Sequence, residues 1–129
     1  MTAPDAPVSL AVVNARVWTG TPRRPWADAV VVRGDRIAAV GGSAEARKLA
    51  AGAPSARVVD AARRTVVGAS PDGRPAPDRA LEPGGMADFV LLDRDLPRVT
   101  PEALAGADVV LTVAAGRVLG AVDAPQETE

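Results

Sequence analysis

The chain has 129 residues, a net charge of −1 at pH 7, and 47% hydrophobic but only 2% aromatic residues. It contains neither cysteine nor histidine, which excludes a thiolate zinc site and every Ser–His or Cys–His nucleophile system. The small net charge and the scarcity of aromatic side chains argue against a nucleic-acid partner, since such a partner is held by a basic patch and stacking platforms.

At this length we expect a single domain with a core of Val, Leu, Ile and Ala, a composition that suits sheets better than helices. Residues 1–9 are interpreted as a flexible N-terminus without the basic and apolar segments of a signal peptide. No apolar run approaches the ~18 residues that a membrane span requires. We therefore expect a cytoplasmic protein with no membrane partner.

Short β-prone runs fill the first half of the chain. Gly34–Asp35 predicts a hairpin, because glycine in the first position of a two-residue loop suits a type II′ turn. The Ala-rich stretch Ala44–Ala51 predicts a helix with Ser43 as its N-cap. The doublet Arg23–Arg24 is interpreted as solvated surface. The predicted strands cover residues 10–13, 16–19, 27–33, 36–40, 57–60 and 65–67.

This pattern breaks between Gly68 and Gly85, where four prolines interrupt the chain without apolar periodicity. A structureless connection of this length is uncommon inside a compact domain. Thr100 and Pro101 predict the N-cap and first residue of a short helix. The remaining predictions are a strand over residues 87–93, a hairpin of residues 109–114 and 117–122 around Ala115–Gly116, and a frayed acidic tail over residues 123–129.

Two sets of segments, taken in this order, resemble the metal-dependent amidohydrolases, specifically the amidohydrolase-3 type. The first set is Val13–Gly20 (VNARVWTG), Ala29–Gly41, Val58–Asp60 and Thr65–Gly68, and the second is Leu81–Asp95 (LEPGGMADFVLLDRD) and Val110–Val118. In that family the two parts pair into one β-sandwich, the composite domain, beside a TIM barrel inserted between them. The resemblance implies a mainly β fold with one or two short helices, in which segments 10–68 and 81–122 form one sandwich joined by loop 68–85.

The chain departs from the family after Gly68. The family continues there into a Pro-Gly-x-x-Asp-x-His-x-His run, which begins the barrel and supplies two metal ligands. This chain reads Ala69–Arg74 (ASPDGR) instead and proceeds to the second set of segments. The resemblance therefore implies that the barrel and its metal centre are missing, and we expect no cofactor.

Asp93 and Asp95 are the best remaining candidates for chemistry. They share one face of a regular strand and could hold a hard cation, although such sites usually need more oxygen ligands. The alternative is that both carboxylates end the strand and begin the turn before Pro97. Trp18 and Trp26 are candidates for a ligand or interface surface, with core packing as the alternative.

Three functions remain. The leading one is a non-catalytic binding or interaction module, which could bind a small-molecule ligand. The others are an accessory or relic subunit packed on a separate amidohydrolase barrel, and a small hydrolase with carboxylate chemistry. The consecutive apolar residues of Val30–Val32, Phe89–Leu92 and Val109–Leu111 put hydrophobic side chains on both faces of their strands. Because one helix and one turn offer little cover, we expect a homodimer or a partner protein on an apolar sheet face.

Overall fold

The computed structural model describes residues 7–53, 55–121 and 127–128. These residues form two sheets and two short helices, so the predicted mainly β class is confirmed. In chain order the elements are β1 (Val8–Val13), β2 (Arg16–Trp18), β3 (Trp26–Ala27), β4 (Ala29–Arg33), β5 (Arg36–Gly41), α1 (Ser43–Ala51), β6 (Arg57–Asp60), β7 (Thr65–Gly68), β8 (Phe89–Leu92), α2 (Pro101–Ala105), β9 (Val109–Ala114), β10 (Arg117–Ala121) and β11 (Glu127–Thr128).

The two sheets stack face to face as a sandwich. Sheet A has the strand order β11-β6-β1-β4-β5, and sheet B has the order β10-β9-β8-β7-β2-β3. Alternate residues of the central strands point inward, and these residues are apolar in both sheets. The shared core includes Leu10, Val12, Val30, Val32 and Ile37 from sheet A, and Val17, Val66, Phe89, Leu91 and Leu111 from sheet B.

The outward-facing residues of the central strands are also apolar, and the chain covers them itself. On sheet A, α1 buries Ala46 and Ala50 against a cluster that contains Val31. On sheet B, segment 96–107, which includes α2, packs over Val90 and its neighbours. Val31 is 1% exposed and Val90 is fully buried in the single chain.

The expectation of an uncovered apolar sheet face is therefore wrong. Leu96 and Val99 explain the difference, because they cover sheet B although neither lies in a helix. Helix α1, the longer of the two, has nine residues, and no helix in the described ranges is long and apolar enough to cross a membrane.

Both predicted hairpin turns are present. Gly34 has φ 65° and Asp35 has no positive φ, as a type II′ turn requires. In the second hairpin, Ala115 (φ 49°) and Gly116 (φ 79°) are both left-handed, which is the type I′ pattern. The two hairpin tips touch, since the carbonyl oxygen of Gly34 occupies the space that a Cβ on Gly116 would need.

The proline-rich connection is hydrogen-bonded to the sandwich and is not structureless. Ala69 and Pro75 form an isolated bridge that closes a tight turn. Further along, the guanidinium of Arg79 donates to the carbonyl of Ala69 at 2.9 Å, and the amide of Leu81 donates to the carbonyl of Thr19 at 2.7 Å. The connection therefore lies against the ends of β2 and β7.

Three local predictions need correction. Strand β1 begins at Val8, so the flexible N-terminus predicted over residues 1–9 does not extend that far, and residues 1–6 lie outside the described ranges. Glu127–Thr128 pair with β6, whereas the tail was expected to fray, and residues 122–126 and 129 are outside the described ranges. Ser43 is the first residue of α1 and Gly42 is its N-cap.

The Ser43 hydroxyl joins two loops instead of capping its own helix. It accepts the amide N–H of Asn14 at 2.8 Å and donates to the carbonyl of Asp28 at 3.3 Å. At α2 the prediction is confirmed, because the hydroxyl of Thr100 accepts the amide N–H of Ala103 and Pro101 follows in the first helical turn.

Val31→Thr and Val90→Thr test whether the outer sheet faces are covered. Threonine keeps the shape of valine but adds a hydroxyl to apolar surroundings, so each change should lower the free energy of unfolding by about 1–3 kcal/mol. Urea denaturation measures the loss. The matched control Val118→Thr lies on an edge strand where the valine is partly buried, and it should cost about 0.5 kcal/mol or less. Equally small losses for all three variants would mean that the faces are open to water.

Candidate functional site

Asp93 and Asp95 are each engaged by a different arginine. Arg94 donates two hydrogen bonds to the carboxylate of Asp93, at 2.8 and 3.0 Å, and the amide of Asp108 donates a third at 3.1 Å. Asp95 forms an ion pair with Arg16 at 2.8 Å. No group of three or more acidic side chains gathers in the described ranges. Strand β8 ends at Leu92, so the geometry agrees with the strand-end interpretation of these aspartates.

The hydrogen bonds from Arg94 lower the pKa of Asp93 from 3.8 to about 2. In the folded chain this carboxyl group therefore stays charged under all but strongly acidic conditions. A carboxylate already satisfied by a guanidinium and a backbone amide has little remaining capacity for a cation.

Trp18 and Trp26 form a cross-strand pair between β2 and β3. Their ring centroids are 5.1 Å apart in an edge-to-face arrangement. The guanidinium of Arg16 lies 4.4 Å from the centroid of Trp26, and the indole N–H of Trp18 donates to the carbonyl of Pro77 at 3.0 Å. Both rings are half-buried. These contacts favour packing within the chain over a free platform for ligand stacking.

Asp88 is a buried acidic residue whose side chain contacts two distant parts of the chain. Its side chain accepts the amide N–H of Ala115 at 2.7 Å, and Arg79 lies 3.9 Å away on the other carboxylate oxygen. Asp88 thus fixes the left-handed turn at Ala115–Gly116.

A cleft opens beside the edge strand β5, and we call it the Arg24 cleft. Its volume is about 470 Å³, and a smaller cavity of about 210 Å³ adjoins it on the side of α1. Arg24 and Val40 line both cavities. The full lining of the larger cavity is Thr19, Thr21, Pro22, Arg23, Arg24, Val40, Leu81, Glu82 and Pro83.

The loop of residues 19–25 builds one wall of this cleft. The amide of Thr19 donates to the carbonyl of Pro25 at 3.0 Å, which closes the loop at its base. Inside the loop, the hydroxyls of Thr19 and Thr21 both contact the carbonyl of Arg24. Leu81 anchors the opposite wall through its hydrogen bond to Thr19. The cleft is therefore held by backbone contacts on both sides.

The sequence interpretation of Arg23–Arg24 as solvated surface missed this cleft. Both arginines are exposed, but they line a concave wall. A useful signal was available in Pro22 and Pro25, which flank the doublet and stiffen its loop. The opposite wall comes from residues 81–83. Their contact with this loop joins segments that are far apart in the chain, so local sequence patterns do not predict it.

Comparison with known proteins finds no matching family model, no matching curated protein and no matching solved structure.

The Arg94→Gln variant tests the assignment of Asp93 as a paired carboxylate. In the unchanged chain, carbon-detected NMR should show Asp93 titrating near pH 2, and Arg94→Gln should move this pKa back towards 3.8. Because the folded-state pKa is depressed, the stability from this pair is present above about pH 4 and is lost as the pH falls towards 2. As a control, millimolar Ca²⁺ should leave the Asp93 and Asp95 carboxyl signals unchanged. Saturable shifts of both signals would instead support a cation site.

Proposed function

We propose that this chain is a non-catalytic binding module, an amidohydrolase-like β-sandwich whose binding site is the Arg24 cleft. The cleft carries the proposal, because its volume of about 470 Å³ lies within the range of small-molecule sites. Apolar walls from Val40, Leu81 and Pro83 can exclude water from a ligand, while Arg23 and Arg24 can orient it. A cytoplasmic location is part of this proposal.

Two features support the amidohydrolase-like part of the proposal. The two segments that resemble the family's terminal parts are joined by the antiparallel pairing of β7 with β8. Directly after β7, the bridge between Ala69 and Pro75 closes a tight turn at the start of the connection between those strands. A chain that joins the two halves of a composite domain directly would need such a turn where the barrel is otherwise inserted.

The other two functions have less support. A small hydrolase would use Asp93 or Asp95, and both carboxylates are engaged by arginines. If the protein hydrolysed amides and the Asp93→Asn or Asp95→Asn variant lost this activity, the small-hydrolase function would be favoured instead. An accessory subunit on a separate barrel would need an uncovered apolar face, whereas α1 and segment 96–107 cover both sheets.

The Val40→Trp variant tests the cleft as the binding site. Val40 lines both cavities, so an indole at this position should fill the space that a ligand would occupy. We expect small apolar fragments to shift the amide NMR signals of Thr21, Val40 and Glu82, and Val40→Trp to weaken this binding about tenfold. Val118→Trp is the matched control, because Val118 is also a partly buried valine on an edge strand but lies outside the cleft. The proposal would be contradicted if no fragment shifted signals in the cleft.

Strand β10 supports the homodimer as a second candidate. Leu119 is 64% exposed and is the one large hydrophobic side chain exposed in the described ranges. It lies on the free edge of sheet B. However, the ladder between β9 and β10 is irregular between Val118 and Gly120, and a bulge of this kind hinders the addition of another strand.

Light scattering tests the homodimer. If β10 forms no interface, the protein should have the mass of one chain, 13.1 kDa, at micromolar concentration. A mass of two chains that falls to one in Leu119→Lys would favour an interface through β10. The matched change Thr112→Lys, at a half-buried position on the neighbouring strand β9, controls for the added charge.

A further inference from the structure

The hydrogen-bond donors of the Arg24 cleft indicate what kind of ligand it takes. The hydroxyl protons of Thr19 and Thr21 are used inside the loop, where both groups contact the carbonyl of Arg24 and each other. The amide of Leu81 is bonded to Thr19. In the described part of the chain, neither Arg23 nor Arg24 has a side-chain hydrogen bond or ion pair. The uncommitted side-chain donors of the cleft are therefore guanidinium N–H groups, which require an acceptor on the ligand.

Arg24 lies against the edge of sheet A. Its Nη1 atom is 3.5 Å from the position that a Cβ on Gly41 would occupy, so the side chain runs along the backbone at the end of β5. It also forms part of the wall between the two cavities. Gly41 lines only the smaller cavity, so the guanidinium lies where the two cavities meet, and a carboxylate can reach it while the rest of the ligand occupies the larger cavity.

The surrounding charges give the two cavities no net positive charge, which disfavours a ligand with more than one negative charge. Glu82 lines the larger cavity and Glu45 lines the smaller one, so two glutamates offset the two arginines. A dianion such as phosphate would be repelled by both glutamates, whereas a carboxylate matches one guanidinium fork with one charge. Val40, Leu81 and Pro83 supply an apolar surface for the rest of the molecule.

We propose that the Arg24 cleft binds small monocarboxylates that carry an apolar body, with Arg24 as the residue that contacts the carboxylate. This inference rests on the proposed function, since it names the ligand class of the same site. The apolar body lies against Val40 and Leu81, and the carboxylate accepts paired hydrogen bonds from Arg24.

NMR titration with matched fragments tests this proposal. Cyclohexanecarboxylate should shift the amide signals of the cleft, and its Kd should be about tenfold lower than that of the neutral cyclohexanecarboxamide. Arg24→Gln should raise the Kd of the carboxylate about tenfold and change that of the carboxamide much less, because a neutral carbonyl accepts a weaker hydrogen bond. Arg98→Gln is the control, because Arg98 is an exposed arginine outside both cavities. Inorganic phosphate should produce no saturable shifts in the cleft.

The failures of the two proposals give different results. If the carboxamide binds as tightly as the carboxylate, the carboxylate inference is overturned and the binding module stands. If phosphate binds better than the carboxylate, the ligand class is likewise wrong. If neither cyclohexane compound binds while other apolar fragments shift the cleft signals, only the carboxylate inference fails, and if no fragment shifts them, both proposals fail. The comparison of carboxylate with carboxamide uses the unchanged protein, so it decides the question even if Arg24→Gln folds poorly.

Discussion

The antiparallel pairing of β7 with β8 holds the two segments of the chain together. Its register joins Val66 to Leu91, Val67 to Val90 and Gly68 to Phe89, in the middle of sheet B. Every residue of both strands is buried, so water cannot compete for these hydrogen bonds from either face. Gly68 permits this arrangement, because a Cβ there would come within 2.7 Å of the carbonyl oxygen of Arg79. The proline-rich connection can therefore fold back closely over the strand that precedes it.

The two sheets and the cover on the outer face of each make four layers, and this arrangement leaves the cleft at one margin. Central strands of both sheets carry apolar residues on their outer faces, so each sheet needs an outer cover, which α1 supplies for sheet A and segment 96–107 for sheet B. The covers leave the sheet edges open. At one margin, the loop of residues 19–25 approaches β5 and residues 81–83 without a strand pairing between them, and the Arg24 cleft is the gap that remains. The candidate site is thus a product of how the connecting segments meet at the edge of the sandwich.

Local sequence signals predicted the strands and turns well, but they did not predict the tertiary contacts. The turn at Gly34–Asp35 and the cap at Thr100 could be predicted, because the conformational preferences of these residue types act locally. The cover of sheet B was not predicted, because Leu96 and Val99 contribute through packing alone. The N-cap prediction for Ser43 was wrong, because its hydroxyl accepts the amide N–H of Asn14 and does not cap its own helix. At the candidate sites, the sequence could identify Asp93 and Asp95 but not their arginine partners. It could not identify the Arg24 cleft, whose walls are far apart in the chain.

Fragment complementation tests most directly whether the two segments form one sandwich. The chain can be divided between Asp72 and Gly73, in the exposed turn closed by Ala69 and Pro75. Residues 1–72 and 73–129 should each lack a cooperative unfolding transition when alone, since each would expose its half of the shared core. Mixed in equal amounts, they should form a complex of one copy each, with an amide NMR spectrum close to that of the intact chain. Fragments that fold separately, or that fail to associate, would contradict the account.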